Sequence, residues 1–283
     1  MIKAIMATAR DRARLQEITG VLVRYGLQDL LRALGLSGLL DKLSHGHSRD
    51  DRPLPQRLCA ALEELGPAFV KLGQILSTRS DLLAPEWTEA LGQLNAGASP
   101  LPWSALEAKV SATLGDAPAN VFAWFDEAPL ASGSMAQIHR ARLRDGDEVV
   151  VKIQRPGIEP VIRADLRLLH FLAASIEQQS ETLARFRPAM LVRYLETALQ
   201  QELDFCYEAA NGEKMRQNFA DDPQVVIPEI YWAWTSPTLM VQALLSGTAP
   251  LDGQQLAAAG LDGKVLARRG AEAFIKMLFD YRL

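Results

Sequence analysis

Residues 131–154 read Ala-Ser-Gly-Ser-Met-Ala-Gln-Ile-His-Arg-Ala-Arg-Leu-Arg-Asp-Gly-Asp-Glu-Val-Val-Val-Lys-Ile-Gln. From Ile138 to Leu143 apolar and polar side chains alternate in the manner of a half-buried strand. Asp145-Gly146 is a hairpin signal, because both positions tolerate the positive φ that a tight two-residue turn demands. Glu148 to Gln154 is the returning strand, and Pro156-Gly157 ends it. An apolar stretch, Val121 to Trp124, precedes the small residues Ala131-Ser132-Gly133-Ser134. Residues 124–154 are therefore predicted to form a β-meander with a small-residue loop at its first bend.

Two features of this meander point to chemistry. A loop of small residues lets backbone amides approach a phosphate closely. The returning strand then places Lys152 inside an apolar run, Val149 to Ile153, where a cation calls for an anionic partner. Glu208, on a later predicted helix, is a candidate for that partner. A phosphate loop, a strand lysine and a helix glutamate make up the nucleotide-holding half of a kinase small lobe. The plain alternative is a turn beside a lysine reaching out from a sheet edge, since Ala-Ser-Gly-Ser is not a Gly-x-Gly-x-x-Gly.

Upstream, residues 66–83 read Gly-Pro-Ala-Phe-Val-Lys-Leu-Gly-Gln-Ile-Leu-Ser-Thr-Arg-Ser-Asp-Leu-Leu. Leu62, Leu65, Phe69, Leu72 and Leu76 form one apolar stripe of a helix predicted over 57–80, with Pro67 near its first turn. Lys71, Gln74 and Thr78 form a second, polar stripe. Gly73, beside that stripe, costs the helix about 1 kcal/mol relative to alanine, so something is expected to pack close to the backbone there. On periodicity alone this is an ordinary amphipathic surface helix.

Residues 1–43 are predicted helical, with Leu15, Ile18, Leu22, Tyr25, Leu30, Leu31 and Leu34 on one face. Lys3, Arg10, Arg12, Arg14, Arg24 and Arg32 outnumber Asp11, Glu17 and Asp29, so this helix suits either an anionic membrane surface or ordinary packing with a solvated basic side. Residues 44–56 read as a proline-containing linker whose His45 and His47 lack a third metal ligand. Further helices are predicted from Pro85 to about 92–98, over 103–114, over 160–183 and from Met190 to Phe219, and again from Gly260 to Leu283. Two more strands are predicted at Val225–Tyr231 and Thr238–Leu245.

The 283 residues are 48% hydrophobic and 23% charged, enough for a substantial core. A net charge of −4 argues against a nucleic-acid partner. Cys59 and Cys206 are too few for a disulfide framework and read as buried thiols of a cytosolic protein. No secretory signal opens the chain and no 18-residue charge-free apolar segment spans a membrane.

Taken together, Lys71-Leu72-Gly73-Gln74, the loop Ala131-Ser132-Gly133-Ser134 followed by Ala136-Gln137-Ile138-His139-Arg140-Ala141, the strand Val-Val-Lys-Ile-Gln-Arg-Pro and Glu202-Leu203-Asp204 resemble the UbiB family of atypical kinase-like proteins linked to ubiquinone biosynthesis. The resemblance covers roughly residues 20–283. It implies a Lys-x-Gly-Gln element at Lys71, Gly73 and Gln74, an alanine-rich loop replacing the kinase glycine loop at 131–134, Lys152 as the nucleotide-pairing lysine and Glu208 as its helix glutamate. It further implies that the Lys-x-Gly-Gln helix folds over the nucleotide site, that Lys71 pairs with Glu202 or Asp204 of the Glu-x-Asp motif, and that Gln74 faces the phosphates. The cofactors so implied are ATP and magnesium, with the main magnesium ligands in a C-terminal part.

Three departures from the family pattern stand out. Ser132 and Gly133 occupy positions where the family carries alanine, which bears on nucleotide preference. The expected hinge, Val241-Gln242-Ala243, lacks an acidic residue, leaving backbone groups to hold adenine. Finally, at Phe279 to Leu283 the family's helix would lead into a His-x-Asp-x-His-Pro-Gly-Asn catalytic loop, an Asp-Phe-Gly segment and membrane helices. The resemblance therefore implies no complete catalytic set and no metal site in this sequence, read as a fragment, a truncated reading frame or a stand-alone small lobe.

The expected fold is α+β: a kinase-like small lobe with about five antiparallel strands, a helical N-terminal extension and inserted helices. The expected organisation is an N-terminal helical region (1–43), a linker (44–56), a helical extension (57–118), the small lobe (119–250, with a helical insertion at 158–219) and the start of a large lobe (251–283). The expected function is that of a UbiB-type ATPase or small-molecule kinase supporting or regulating ubiquinone biosynthesis. The alternative is a non-catalytic module binding nucleotide, lipid or a partner. Expected partners are a nucleotide, quinone-biosynthesis proteins or lipid precursors, with peripheral contact to the inner membrane through the N-terminal helix as a further expectation.

Overall fold

In a computed structural model describing residues 9–33, 50–94, 97–179, 181–248 and 253–281, the chain divides into two units. The first comprises residues 1–102, 131–137 and 154–203; the second comprises 103–130, 138–153 and 204–283. The longer elements, in chain order, are α1 (Ala9–Arg24), α2 (Leu54–Leu65), α3 (Pro67–Ser77), α4 (Pro85–Gly92), α5 (Glu107–Leu114), β1 (Phe122–Ser132), β2 (Ala136–Leu143), β3 (Glu148–Gln154), α6 (Ile158–Gln179), α7 (Pro188–Leu203), α8 (Phe205–Asn218), β4 (Leu239–Ala243) and α9 (Gly263–Phe279). The expected histidine pair His45 and His47, Lys3 and Leu34 lie outside the described residues.

The first unit is built on one apolar cluster. Leu15, Ile18 and Leu22 of α1 join Leu62 and Leu65 of α2, Phe69 and Val70 of α3, Leu91 of α4, Ile162 and Leu166 of α6, and Leu195 and Leu199 of α7. The apolar face of α1 that suits a membrane is thus committed to this core. An ion pair fixes the packing: Arg14 Nε donates to Asp165 Oδ1 at 2.6 Å, Arg14 Nη2 to Asp165 Oδ2 at 3.0 Å, and Nη2 also to the Leu65 carbonyl. Burial pushes the Asp165 carboxyl up from its ordinary value, against the pull of the guanidinium.

The single helix expected over 57–80 is two helices. Gly66 takes φ 97°, which only glycine adopts without strain, and Pro67 opens α3 because its missing N–H rules out continuing α2. The stripe of leucines nevertheless runs through the break, since both helices bury the same cluster. Likewise Met190 to Phe219 is not one stretch. Asp204 is extended (φ −109°, ψ 99°), separates α7 from α8, and caps α8 by accepting from the Cys206 amide at 2.9 Å.

The second unit holds an antiparallel sheet in the order β1-β2-β3-β4. The Asp145-Gly146 hairpin joins β2 to β3, with the Leu143 amide donating to the Asp147 carbonyl at 2.9 Å. β3 and β4 pair antiparallel with Lys152 opposite Met240 and Val150 opposite Gln242. The fifth strand expected at 225–231 reduces to a bridge between Ile230 and Gln242. Pro228 has no N–H to donate, so the ladder cannot extend back along the segment. Phe122 and His139 are buried, and Trp103, Phe125 and His139 form a ring cluster, His139 stacking on Phe125 at 5.4 Å. Among the described residues no helix is long and apolar enough to cross a membrane.

Candidate functional site

Lys152 sits on β3 between the buried Val151 and Ile153. Strand alternation turns its side chain to the face opposite theirs. There its ammonium donates to both carboxylate oxygens of Glu208, at 2.9 and 2.6 Å, and lies 4.8 Å from the centre of the Phe205 ring. Glu208 stands in the first turn of α8, where the helix dipole favours an anion. Phe205, fully buried at the start of the same helix, supplies an aromatic face under the cation. Glu208 accepts two of the three ammonium donors, and no further acceptor for Lys152 is found among the described residues. The arrangement holds a positive charge on a strand with one N–H to offer an anion.

In the first unit, Lys71 of α3 forms an ion pair with Glu202 near the end of α7. Asp204, the other acid of the Glu-x-Asp element, is engaged in capping α8. Gln74 lies on the Lys71 stripe, half-buried. Gly73 faces the other way. A Cβ built there would stand 2.2 Å from Leu94 Cδ1, 3.0 Å from Leu62 Cδ1 and 3.4 Å from Leu91 Cδ2. What crowds the backbone at Gly73 is therefore the leucine core, and that alone accounts for its size.

The small-residue loop is tied from several sides. The Gly133 amide donates to Ala136 O at 2.8 Å, so this amide faces its own loop rather than outward. Ala98 N donates to Ser132 O at 3.2 Å, and Gly97 bridges Gly133. Arg155 Nε donates to Gly133 O at 2.8 Å, while its Nη2 donates to Ser132 Oγ at 2.7 Å and Ser99 O at 2.8 Å. Gln137, fully buried, accepts from Leu101 N at 2.8 Å and donates to Leu101 O at 3.1 Å. Arg155 and Gln137 stand within the stretches that carry the family resemblance but received no role there; their partners are mostly backbone groups, which leave no pattern in a sequence.

The hinge expected at Val241, Gln242 and Ala243 lies within β4. Tyr231 N donates to Val241 O at 2.9 Å, Val241 N donates to Thr235 Oγ1 at 3.2 Å, and Ala243 N donates to Glu229 O at 2.9 Å. Gln242 pairs with Val150 on one side and Ile230 on the other. The amides of Val241 and Ala243 and the carbonyl of Val241 are thus engaged within the second unit. Among the described residues no group of three or more His, Cys, Asp or Glu side chains is placed to hold a metal ion. A surface pocket of about 250 Å³ between α2 and α4, lined by Arg52, Gln56, Cys59 and Glu63 among others, contains none of the expected site residues. Burial and the Glu63 charge push its Cys59 thiol up, away from reactivity.

Residues 93–283 match the family model described as the ABC1 atypical kinase-like domain. The chain is 39% identical over 275 residues to the "Probable protein kinase UbiB" of Pseudomonas paraeruginosa, covering 94% of this chain and 51% of that protein. Proteins of the same name from Azotobacter vinelandii (40% over 276 residues; 94% and 51%) and Cronobacter sakazakii (38% over 281 residues; 96% and 51%) are similarly related. The chain thus spans about half the length of the curated relatives it matches. A solved structure described as "The complex structure of Rv3197-erythromycin from Mycobacterium tuberculosis" aligns with a TM-score of 0.45 at 26% identity, over 78% of this chain and 52% of that one.

Proposed function

Because the chain belongs to the ABC1 atypical kinase-like family, we propose that it carries the nucleotide-holding part of a UbiB-type protein that binds ATP with magnesium and supports or regulates ubiquinone biosynthesis. The observation that carries this reading is the Lys152–Glu208 pair, with both carboxylate oxygens on one ammonium. In kinases a strand lysine held by a helix glutamate orients the α- and β-phosphates. Here the carboxylate fixes the ammonium in place and leaves a donor for such an oxygen. The donor set fits the phosphates of a nucleotide: a fixed cation over an aromatic ring, on a strand with buried neighbours. With no three-ligand cluster among the described residues, magnesium in this reading arrives on those phosphates.

Turnover, as ATP hydrolysis or phosphorylation of a small molecule, further needs an aspartate and an asparagine to hold metal and orient the nucleophile. This reading assigns those groups to the half of the relatives' length that the chain does not match. A second reading is nucleotide binding without turnover. Calorimetric titration of residues 1–283 with Mg·ATP, with and without Lys152→Ala, tests the proposal. A loss of tenfold or more, about 1.4 kcal/mol, is expected; equal affinities would exclude the lysine from nucleotide binding. Phosphate release measured on the same samples separates the two readings.

A further inference from the structure

Arg155 follows β3 directly and is not part of the lysine–glutamate pair, yet its side chain makes two bonds to the 131–135 loop. Its guanidinium reaches Gly133 O, Ser132 Oγ and Ser99 O, and its amide donates to Met135 O at 2.9 Å. The acceptors belong to two segments that are remote in sequence, the loop and residues 97–101. Gln137 and Ala98 join the same two segments through Leu101 and Ser132. A planar fork with five donors can span such a set, whereas an ammonium cannot. All of these residues fall in the first unit, so the loop is held together with the segment that follows α4.

Resting on the nucleotide reading above, we propose that Arg155 is the positioning residue of this loop: it fastens residues 132–135 to residues 97–101 and so fixes the shape in which the loop meets a nucleotide's phosphates. Ser132 supplies one of the three acceptors by its side chain, which gives the serine a role that alanine could not fill. Loop shape governs contacts to phosphate and not to the base. Loss of Arg155 therefore acts on ATP and leaves adenosine alone.

The test compares the unaltered chain with Arg155→Met and, should that variant fold poorly, Arg155→Gln. Amide exchange at 97–101 and 132–136 is expected to accelerate tenfold or more while α6 and α7 keep their protection. Mg·ATP affinity is expected to fall about tenfold, with adenosine affinity unchanged. Unchanged exchange overturns the clamp. Unchanged ATP affinity, or ATP and adenosine falling together, overturns the positioning role and leaves a merely structural one. If the unaltered chain binds no ATP, the nucleotide reading fails and takes the ligand half of the proposal with it, while the exchange result still decides the clamp.

Discussion

Replacing Arg14 by methionine should destabilise the first unit by about 4 kcal/mol. The Asp165 side chain is 0% exposed and that of Arg14 9%, and two of the guanidinium's bonds end on the carboxylate. Breaking a buried pair by removing one partner costs about 3–5 kcal/mol, because the remaining charge stays dry and alone. The Leu65 carbonyl also loses its donor, worth about 1 kcal/mol, whereas methionine recovers part of this by packing near Phe69, over whose ring the guanidinium now lies. Replacing both partners, Arg14→Met with Asp165→Leu, removes the unpaired charge and should return stability to within about 1–2 kcal/mol of the original. The deficit of the single variant also has a definite pH dependence. Burial already raises the Asp165 carboxyl above its ordinary value, and losing Arg14 raises it further. An acid whose folded pKa is raised is penalised when ionised and relieved when protonated, so the deficit is full at neutral pH and narrows as pH falls through that raised pKa. Urea unfolding followed by circular dichroism at pH 7 and pH 5 measures all three effects. A single variant within 1 kcal/mol of the original at pH 7, or a double variant no better than the single, would refute the reasoning.

Gly73→Ala sets a helix gain of about 1 kcal/mol against overpacking of about 1–3 kcal/mol where the new Cβ meets Leu94 at 2.2 Å; a net loss of about 1 kcal/mol is expected in urea unfolding, and a more stable variant would count against the leucine contacts. Asp204→Ala removes the cap of α8 and should lower stability by about 1 kcal/mol, with faster amide exchange confined to the first turn that carries Glu208. His139 is fully buried among rings, and burial pushes its pKa below the ordinary 6.5. A depressed histidine stabilises the fold above its unfolded pKa and loses that contribution as pH falls through its folded pKa. The chain should therefore weaken below about pH 6.5, and His139→Phe should flatten that decline in thermal melts; an unchanged slope would exclude His139 as its source.

The residues with chemistry were legible where a side chain broke a pattern. Lys152 interrupts an apolar run, and the Asp145-Gly146 turn fixes the hairpin that presents it. Glu208 is 56 residues further on, beyond two other long helices, so the residues alone offer it as one candidate acid and the resemblance gives it its role. The helix break at Gly66-Pro67 escaped the periodicity because α2 and α3 bury their leucines in one cluster; a stripe cannot register a turn whose two arms face the same core. Asp204, which the resemblance places in the Glu-x-Asp motif, also caps α8 through the Cys206 amide, a role that the continuous apolar pattern of 190–219 conceals. The fifth strand failed at Pro228, where apolar content favoured a ladder that the missing N–H cannot extend.

Gly73 and Lys71 show why neighbouring letters of one motif need separate tests. They lie two residues apart on α3, which turns them about 200° from each other around the helix axis. Gly73 meets leucines and Lys71 meets Glu202. A substitution at Gly73 acts first on packing, and any effect on ligand binding must be read against the accompanying loss of stability. Lys71→Met leaves the leucine contacts intact and removes only the pairing with Glu202, a pair exposed enough for its direct contribution to stability to be small. A change in nucleotide affinity on Lys71→Met without a change in unfolding midpoint would therefore report on the polar stripe itself, whereas the same change on Gly73→Ala would not.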